Sequence, residues 1–154
     1  MKLQADRLEG QNAISRHGPG GVIVNGTEHR HSVIVPWVGA VQPWLVASFD
    51  ALTEAHFEAL AALAPELVIF GSGTRIRFVR PALLSALIGR RIGVETMDSA
   101  AACRTYNVLL AEGRSVVAAL LFDEPQTSGA RGLSGRGAWP CNVYNLWLRP
   151  SRRN

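Results

Sequence analysis

The chain has 154 residues, of which 47% are hydrophobic and 18% are charged, a composition that excludes a disordered polypeptide and suits one globular domain. The net charge of +4 comes from the C-terminal end, since residues 1–123 carry eleven Lys and Arg against eleven Asp and Glu. A basic groove for phosphate backbones is not indicated, and we expect no nucleic-acid partner.

The cysteines and the N-terminus indicate the cellular compartment. Cys103 and Cys141 form no CxxC pair and no disulfide framework. The N-terminus carries a charged residue at Lys2, and it has no apolar stretch of the kind found in secretory signals. No apolar run approaches the ~20 residues that span a bilayer. We therefore expect a cytoplasmic protein with reduced thiols and no transmembrane segment.

The first predicted elements are β strands in residues 11–35. Asn25-Gly26 separates two β-rich runs, and this dipeptide is the strongest short hairpin signal because both turn residues tolerate positive φ. The second run extends over residues 27–35. The sequence therefore predicts an N-terminal β-hairpin.

The following part of the chain alternates between amphipathic and continuously apolar stretches. Thr53 is placed to cap a helix in which Phe57 and Leu60 belong to one apolar stripe. The predicted elements in chain order are a helix over 54–63, a strand over 67–70, a helix over 81–89, a strand over 92–95, a helix from Asp98 or Ser99 to near Gly113, and a strand over 115–122.

This order predicts the fold class and the domain organisation. Strands that alternate with helices form parallel pairs through right-handed crossovers, with the helices on the sheet faces. We expect one three-layer α/β domain over residues 1–122, with a mixed sheet, the N-terminal hairpin and flanking helices. Residues 123–154 are basic and rich in Gly, Ser and Arg, and we expect a poorly ordered tail that adds little stability.

A glycine-rich turn after the predicted strand over 67–70 is the first candidate site. Gly71-Ser72-Gly73 lacks the GxGxxG and GK[ST] patterns of nucleotide loops, but Arg75 and Arg77 follow it at a spacing of two. Side chains at that spacing on an extended segment point the same way, so they can converge on an anion near the next helix start. The alternative is a tight turn followed by a solvated basic segment.

A polar cluster at the start of the last helix is the second candidate site. It contains Glu95, Asp98, Arg104, Tyr106 and Asn107. Open α/β sheets place ligand crevices at such strand-to-helix junctions. The alternative, which we favour, is that Asp98 caps the helix and that Tyr106 and Asn107 make buried hydrogen bonds.

Topology relates the two candidate sites. The strands that end near Phe70 and Glu95 are predicted to be parallel, so Gly71 and Asp98 should lie at the same edge of the sheet. Arg75 or Arg77 could then approach Asp98 there.

The histidines and Cys103 give weaker signals. His29 and His31 share a strand face and His17 can lie across the sheet, but no Asp, Glu or Cys stands at a matching metal-ligand spacing. Cys103 lies in a small apolar stretch with no His nearby in sequence. We expect no metal, no cofactor and no catalytic residue.

An ordered series of motifs resembles a known family. The series is Val24-Asn25-Gly26, then Phe70-Gly71-Ser72-Gly73, then the stretches 93–98 and 101–114, which are its most specific part. It resembles the small bacterial and archaeal family of Mth938-like domains, formerly classed as a domain of unknown function, which also contains the mitochondrial complex I assembly factor 3. The resemblance covers residues 10–122.

The resemblance implies an α/β fold whose sheet carries a hairpin and is flanked by helices. It also implies a non-enzymatic assembly role through a protein partner, which in the mitochondrial branch is another assembly factor, and it carries over no catalytic residue. The rival function is a small-molecule or anion-binding protein or enzyme that uses the loop 71–80 and the cluster 98–107. The candidate ligand residues would then be Gly71, Ser72, Gly73, Arg75, Arg77, Asp98, Arg104 and Asn107.

Overall fold

The computed structural model describes residues 10–122. In this part the chain forms eight strands and three α-helices, with two short 3-10 turns, Phe49–Ala51 and Pro81–Leu84. The strands are β1 (Ile14–Gly18), β2 (Gly21–Val24), β3 (Thr27–His29), β4 (Val33–Val35), β5 (Gln42–Pro43), β6 (Leu67–Gly71), β7 (Gly93–Met97) and β8 (Val116–Leu120), and the helices are α1 (Glu54–Ala61), α2 (Ser85–Gly89) and α3 (Ser99–Ala111).

The N-terminal strands form a separate antiparallel sheet in the order β1-β2-β3. Its β2–β3 turn is the predicted hairpin, with φ of 50° at Asn25 and 86° at Gly26. The prediction of one run over 27–35 is wrong, because β3 and β4 belong to different sheets. Ser32 lies in the break between β3 and β4, where its buried hydroxyl accepts a hydrogen bond at 3.0 Å from the N–H of Phe122.

The second sheet has five strands in the order β5-β4-β8-β6-β7. Strand β6 pairs in parallel with both β7 and β8, whereas β4 pairs antiparallel with β8 and β5. The predicted mixed sheet is therefore confirmed. It forms because residues 67–71 are apolar enough to be buried on both faces of a parallel pair.

Two apolar cores cover the faces of this sheet. Helices α1 and α2 pack on one face, where they contact Val68 and Phe70, while α3 and the three-stranded sheet pack on the other face around Ile69. The alternation of side chains along β6 thus divides the molecule into layers. This arrangement confirms the expected three-layer α/β fold, and within residues 10–122 no helix has the length and apolar character to cross a membrane.

Several element boundaries differ from the predictions. The first helix ends at Ala61 rather than at residue 63, and Ala64 has a positive φ of 52°. The predicted helix over 81–89 consists of the 3-10 turn followed by the short α2, and the strand predicted over 92–95 is β7. The predicted tail over 123–154 lies outside the described residues.

Candidate functional site

The candidate site lies where β6 and β7 end and α3 begins. The pair is parallel, with Gly71 in register with Met97, so Gly71 and Asp98 lie at the same edge of the sheet as predicted. A cavity of about 270 Å³ opens there. Among its lining residues are His17, Gly73, Thr74, Asp98, Ser99 and Phe122.

Backbone and hydroxyl groups join the glycine turn to α3. Ser99 donates its N–H to the carbonyl oxygen of Gly73 at 2.8 Å and accepts from the Gly73 N–H at 3.0 Å through its hydroxyl oxygen. The same hydroxyl donates to the Leu121 carbonyl at 2.9 Å. A Cβ on Gly71 would lie 3.0 Å from the Ser99 Cα, so a larger residue there would require α3 to shift by a few tenths of an ångström. The Gly73 N–H, a donor that a phosphate oxygen would otherwise accept from, is therefore already bonded to Ser99.

Asp98 is the N-cap of α3. Its Oδ1 accepts a hydrogen bond from the Ala101 N–H at 2.9 Å, which confirms the capping interpretation. A carboxylate at a helix N-terminus occupies the position where the helix dipole would favour an external anion. Among residues 10–122, no Arg or Lys lines the cavity, and His17 is the basic side chain at its wall. The electrostatics therefore favour a neutral or hydrogen-bonding ligand over an anion.

Arg77 is directed away from this cavity. Its guanidinium donates to the Ser72 carbonyl oxygen from Nη2 at 2.6 Å and from Nε at 3.1 Å, and it lies over the Phe49 ring at 4.7 Å from the centroid. Phe49 stacks on Phe70, on the face of the sheet that α1 and α2 cover. The structure thus places Arg77 on the opposite face from α3, and it leaves the Arg75 side chain exposed.

Tyr106 and Asn107 join α3 to the N-terminal strands. The buried Tyr106 hydroxyl lies 2.8 Å from the carbonyl oxygen of Asn12 and 2.9 Å from that of Pro36, and burial raises the pKa of this phenol. Asn107 accepts from the N–H of Ile14 at 3.0 Å and donates to its carbonyl at 2.6 Å. Tyr106 makes the buried hydrogen bonds that the structural interpretation predicted, whereas Asn107 makes its hydrogen bonds from a half-buried position.

Arg104 and Cys103 lie on different sides of the same helix. Arg104 is exposed, whereas Cys103 is 1% exposed. Burial raises the pKa of the Cys103 thiol to about 12, against a smaller lowering by the Arg104 charge. A thiolate nucleophile is therefore disfavoured at neutral pH.

The histidines form no metal cluster. His17 and His29 flank Val22 across the three strands, so they lie in one row. His31 lies beyond the end of β3, and its ring contacts that of His29 edge to face at 5.9 Å. Burial and the neighbouring His31 lower the pKa of His29. In the described range 10–122, no three His, Cys, Asp or Glu side chains are grouped as metal ligands would be.

The sequence analysis missed an exposed apolar feature next to the predicted basic residues. Ile76 is 51% exposed and Phe78 is 74% exposed, and both alternate with arginines in residues 75–80. We call these six residues the basic–apolar segment. A depression of about 360 Å³ lies beside it, between Phe78 and Phe49. The alternation of Arg with apolar residues was visible in the sequence and could have identified this surface.

The fold and the site define a class of protein. It is a three-layer α/β domain in which a glycine turn joins β6 to the aspartate-capped α3, and two polar side chains join α3 to the N-terminal residues. The chain belongs to the family described as a protein of unknown function (DUF498/DUF598), whose sequence pattern matches residues 14–121. The resemblance found in the sequence is thereby confirmed.

Solved structures and one curated relative show what the chain is similar to. A crystal structure of a Bordetella parapertussis protein is 37% identical with a TM-score of 0.70, and the match covers 74% of this chain and 98% of that one. A solution structure of a Bordetella pertussis protein, an Mth938-like domain, is 30% identical with a TM-score of 0.71 over 86% of this chain and 100% of that one.

The relative is the NADH dehydrogenase [ubiquinone] 1 alpha subcomplex assembly factor 3 of Bos taurus. It is 35% identical over 111 residues, which are 70% of this chain and 59% of the relative. The match therefore spans little more than half the length of that protein.

Proposed function

We propose that this protein is a non-catalytic protein-binding module that takes part in assembling a larger protein complex. The observation that carries the proposal is the exposure of Ile76 and Phe78, at 51% and 74%, within the basic–apolar segment. Aromatic and arginine side chains are enriched in the centres of protein interfaces, where a few of them supply most of the binding free energy. The relatives named as assembly factors support the same function.

The segment is held in place before any partner arrives. The Ser72 hydroxyl donates to the Arg75 carbonyl at 2.8 Å and accepts from the Arg77 N–H at 2.8 Å. The Arg77 guanidinium is fixed over Phe49. A preordered segment loses less conformational entropy on binding, so this arrangement favours a tight complex.

The finer proposal concerns the complex that is assembled. Several curated relatives, among them those of Bos taurus and Homo sapiens, are named as assembly factor 3 of the NADH dehydrogenase alpha subcomplex. We therefore propose a respiratory complex of that kind as the client of this protein, with the protein partner itself unidentified.

Co-purification with a matched pair of variants tests the proposed function. Phe78→Ser should lower the yield of a stoichiometric partner from native extract by about tenfold or more, the effect of losing a central interface side chain. Val108→Ser is the control, because Val108 is 58% exposed on α3 and lies outside the segment. Equal partner yields from both variants and the wild type would contradict this use of the segment.

The cavity at the start of α3 supports a second candidate function, the binding of a small molecule. Its position at the carboxyl ends of two parallel strands favours this candidate. Of the residues predicted to bind a ligand, Gly73 and Asp98 line it. Native mass spectrometry of the purified protein distinguishes the two functions, since a bound metabolite that is retained in Phe78→Ser and lost in Thr74→Trp would support the second.

A further inference from the structure

The open edge of the five-stranded sheet is a candidate interaction surface separate from the basic–apolar segment. We propose that β7 binds an extended strand of a partner protein, and that this strand presents a basic side chain beside Glu95. The inference rests on the proposed function, because it assumes a protein partner. It adds the binding mode and the partner's chemistry.

The two edges of this sheet differ in how well they are protected against the addition of a further strand. Strand β5 forms one edge, and it has only two residues and ends at Pro43. Short edges and prolines are devices that prevent strand addition. Strand β7 forms the other edge with five residues and contains no Pro or Lys. Of the two edges that this sheet has within residues 10–122, β7 is therefore the one long and regular enough to accept a further strand.

The register with β6 fixes which groups of β7 point inward. Gly93 donates its N–H to the Glu66 carbonyl at 3.3 Å, and the Met97 carbonyl accepts from the Ser72 N–H at 2.9 Å. In a parallel ladder alternate residues bond to the same neighbour. Glu95, midway between Gly93 and Met97, therefore also directs its backbone groups toward β6.

The remaining residues of β7 direct their backbone groups outward. These are Val94 and Thr96, and no described residue of the chain forms a hydrogen bond to their outward N–H and carbonyl groups. Unpaired edge groups of this kind bind an added strand through main-chain hydrogen bonds, while the alternating side chains provide specificity.

The side chains of β7 indicate the chemistry of the added strand. Val94 and Thr96 are half-buried on the face covered by α1 and α2, so they favour apolar or β-branched neighbours. Glu95 is exposed on the opposite face, and none of residues 10–122 forms an ion pair with it. A Lys or Arg of the added strand would therefore form an ion pair with Glu95.

The same carboxylate argues against a second copy of this chain as the occupant. Antiparallel self-pairing that uses the outward groups of both Val94 and Thr96 places Glu95 directly opposite Glu95 of the second copy. Like charges that face each other across a ladder are destabilising. Glu95 thus opposes self-association and favours a basic strand.

A proline substitution tests strand addition at β7 without breaking the hydrogen bonds between β7 and β6. Thr96→Pro removes an N–H that points away from β6, a position where proline is tolerated, whereas Thr96→Val keeps the N–H and is the control. The probe is the peptide acetyl-Thr-Val-Lys-Val-Thr-amide, which reads the same in both strand directions, compared with the same peptide carrying Glu in place of Lys. Binding is measured by two-dimensional amide NMR of the full chain.

We expect the Lys peptide to shift the Val94 and Thr96 amide signals and to bind at least about threefold more tightly than the Glu peptide. Thr96→Pro should abolish these shifts, Thr96→Val should retain them, and Glu95→Lys should reverse the charge preference. Absence of shifts at β7, or shifts that persist in Thr96→Pro, would overturn the proposal. A dimer that Thr96→Pro dissociates would overturn the choice of occupant, and the Phe78→Ser result remains independent of all these outcomes.

Discussion

Replacing Asn107 with alanine should destabilise the protein by removing the link between α3 and β1. The side chain makes two hydrogen bonds to the backbone of Ile14, at 3.0 and 2.6 Å. Each such bond contributes about 0.5–1.5 kcal/mol, and the partly buried backbone groups of Ile14 would lose their partners. We therefore expect Asn107→Ala to lower the free energy of unfolding by about 2 kcal/mol, or roughly 4–8 °C in melting midpoint.

Urea denaturation followed by tryptophan fluorescence measures this change. The midpoint should fall while the slope of unfolding free energy against urea stays constant, because the surface exposed on unfolding is unchanged. Val108→Ala is the control on the neighbouring exposed position, and it should leave stability the same or slightly higher because alanine favours helix. A wild-type midpoint for Asn107→Ala would refute the structural role of this side chain and return it to the candidate ligand residues.

Three further predictions concern the glycine turn, the buried thiol and the C-terminal residues. Gly71→Ala should cost about 1–3 kcal/mol, measured by the same denaturation, because its Cβ would lie 3.0 Å from the Ser99 Cα; an unchanged midpoint would show that α3 can move away. In a Cys141→Ser background, Cys103 should not react with Ellman's reagent at pH 8 while the protein is folded, because burial raises the pKa of its thiol to about 12. Stability should fall as the pH rises above about 9, because the unfolded thiol loses its proton before the folded one; rapid labelling of the folded protein would contradict both statements. Truncation after Asp123 should leave the melting midpoint nearly unchanged, whereas a loss of several degrees would show that the removed residues pack on the domain.

The sequence predicted those elements whose causes are local. A two-residue hairpin turn requires positive φ at both central residues, and Asn25-Gly26 tolerates that conformation. The apolar run that became β6 and the aspartate that caps α3 likewise carry their signals within a few residues. Parallel pairing of β6 and β7 then followed from topology alone, which is why the shared edge of Gly71 and Asp98 was predictable.

The features that the sequence did not predict depend on distant partners. At the break between β3 and β4, Ser32 bonds to Phe122, which lies 90 positions away. Arg77 turns toward Phe49 because that ring reaches the loop from another part of the chain, so the spacing of the arginines could not show their direction. The exposure of Phe78 is different, because the alternation of arginines with apolar residues around it is a local signal that the sequence analysis did not use.

The hydrogen bonds that Tyr106 and Asn107 make from α3 to the N-terminal residues also have a consequence for the order of folding. Tyr106 and Asn107 reach residues that precede them by 93–94 positions, so the three-stranded sheet can dock only after most of the chain has closed on itself. Local hairpins form within microseconds, whereas contacts of such high sequence separation are slow to form. In stopped-flow experiments, a substitution at this junction should therefore accelerate unfolding and leave the refolding rate nearly unchanged.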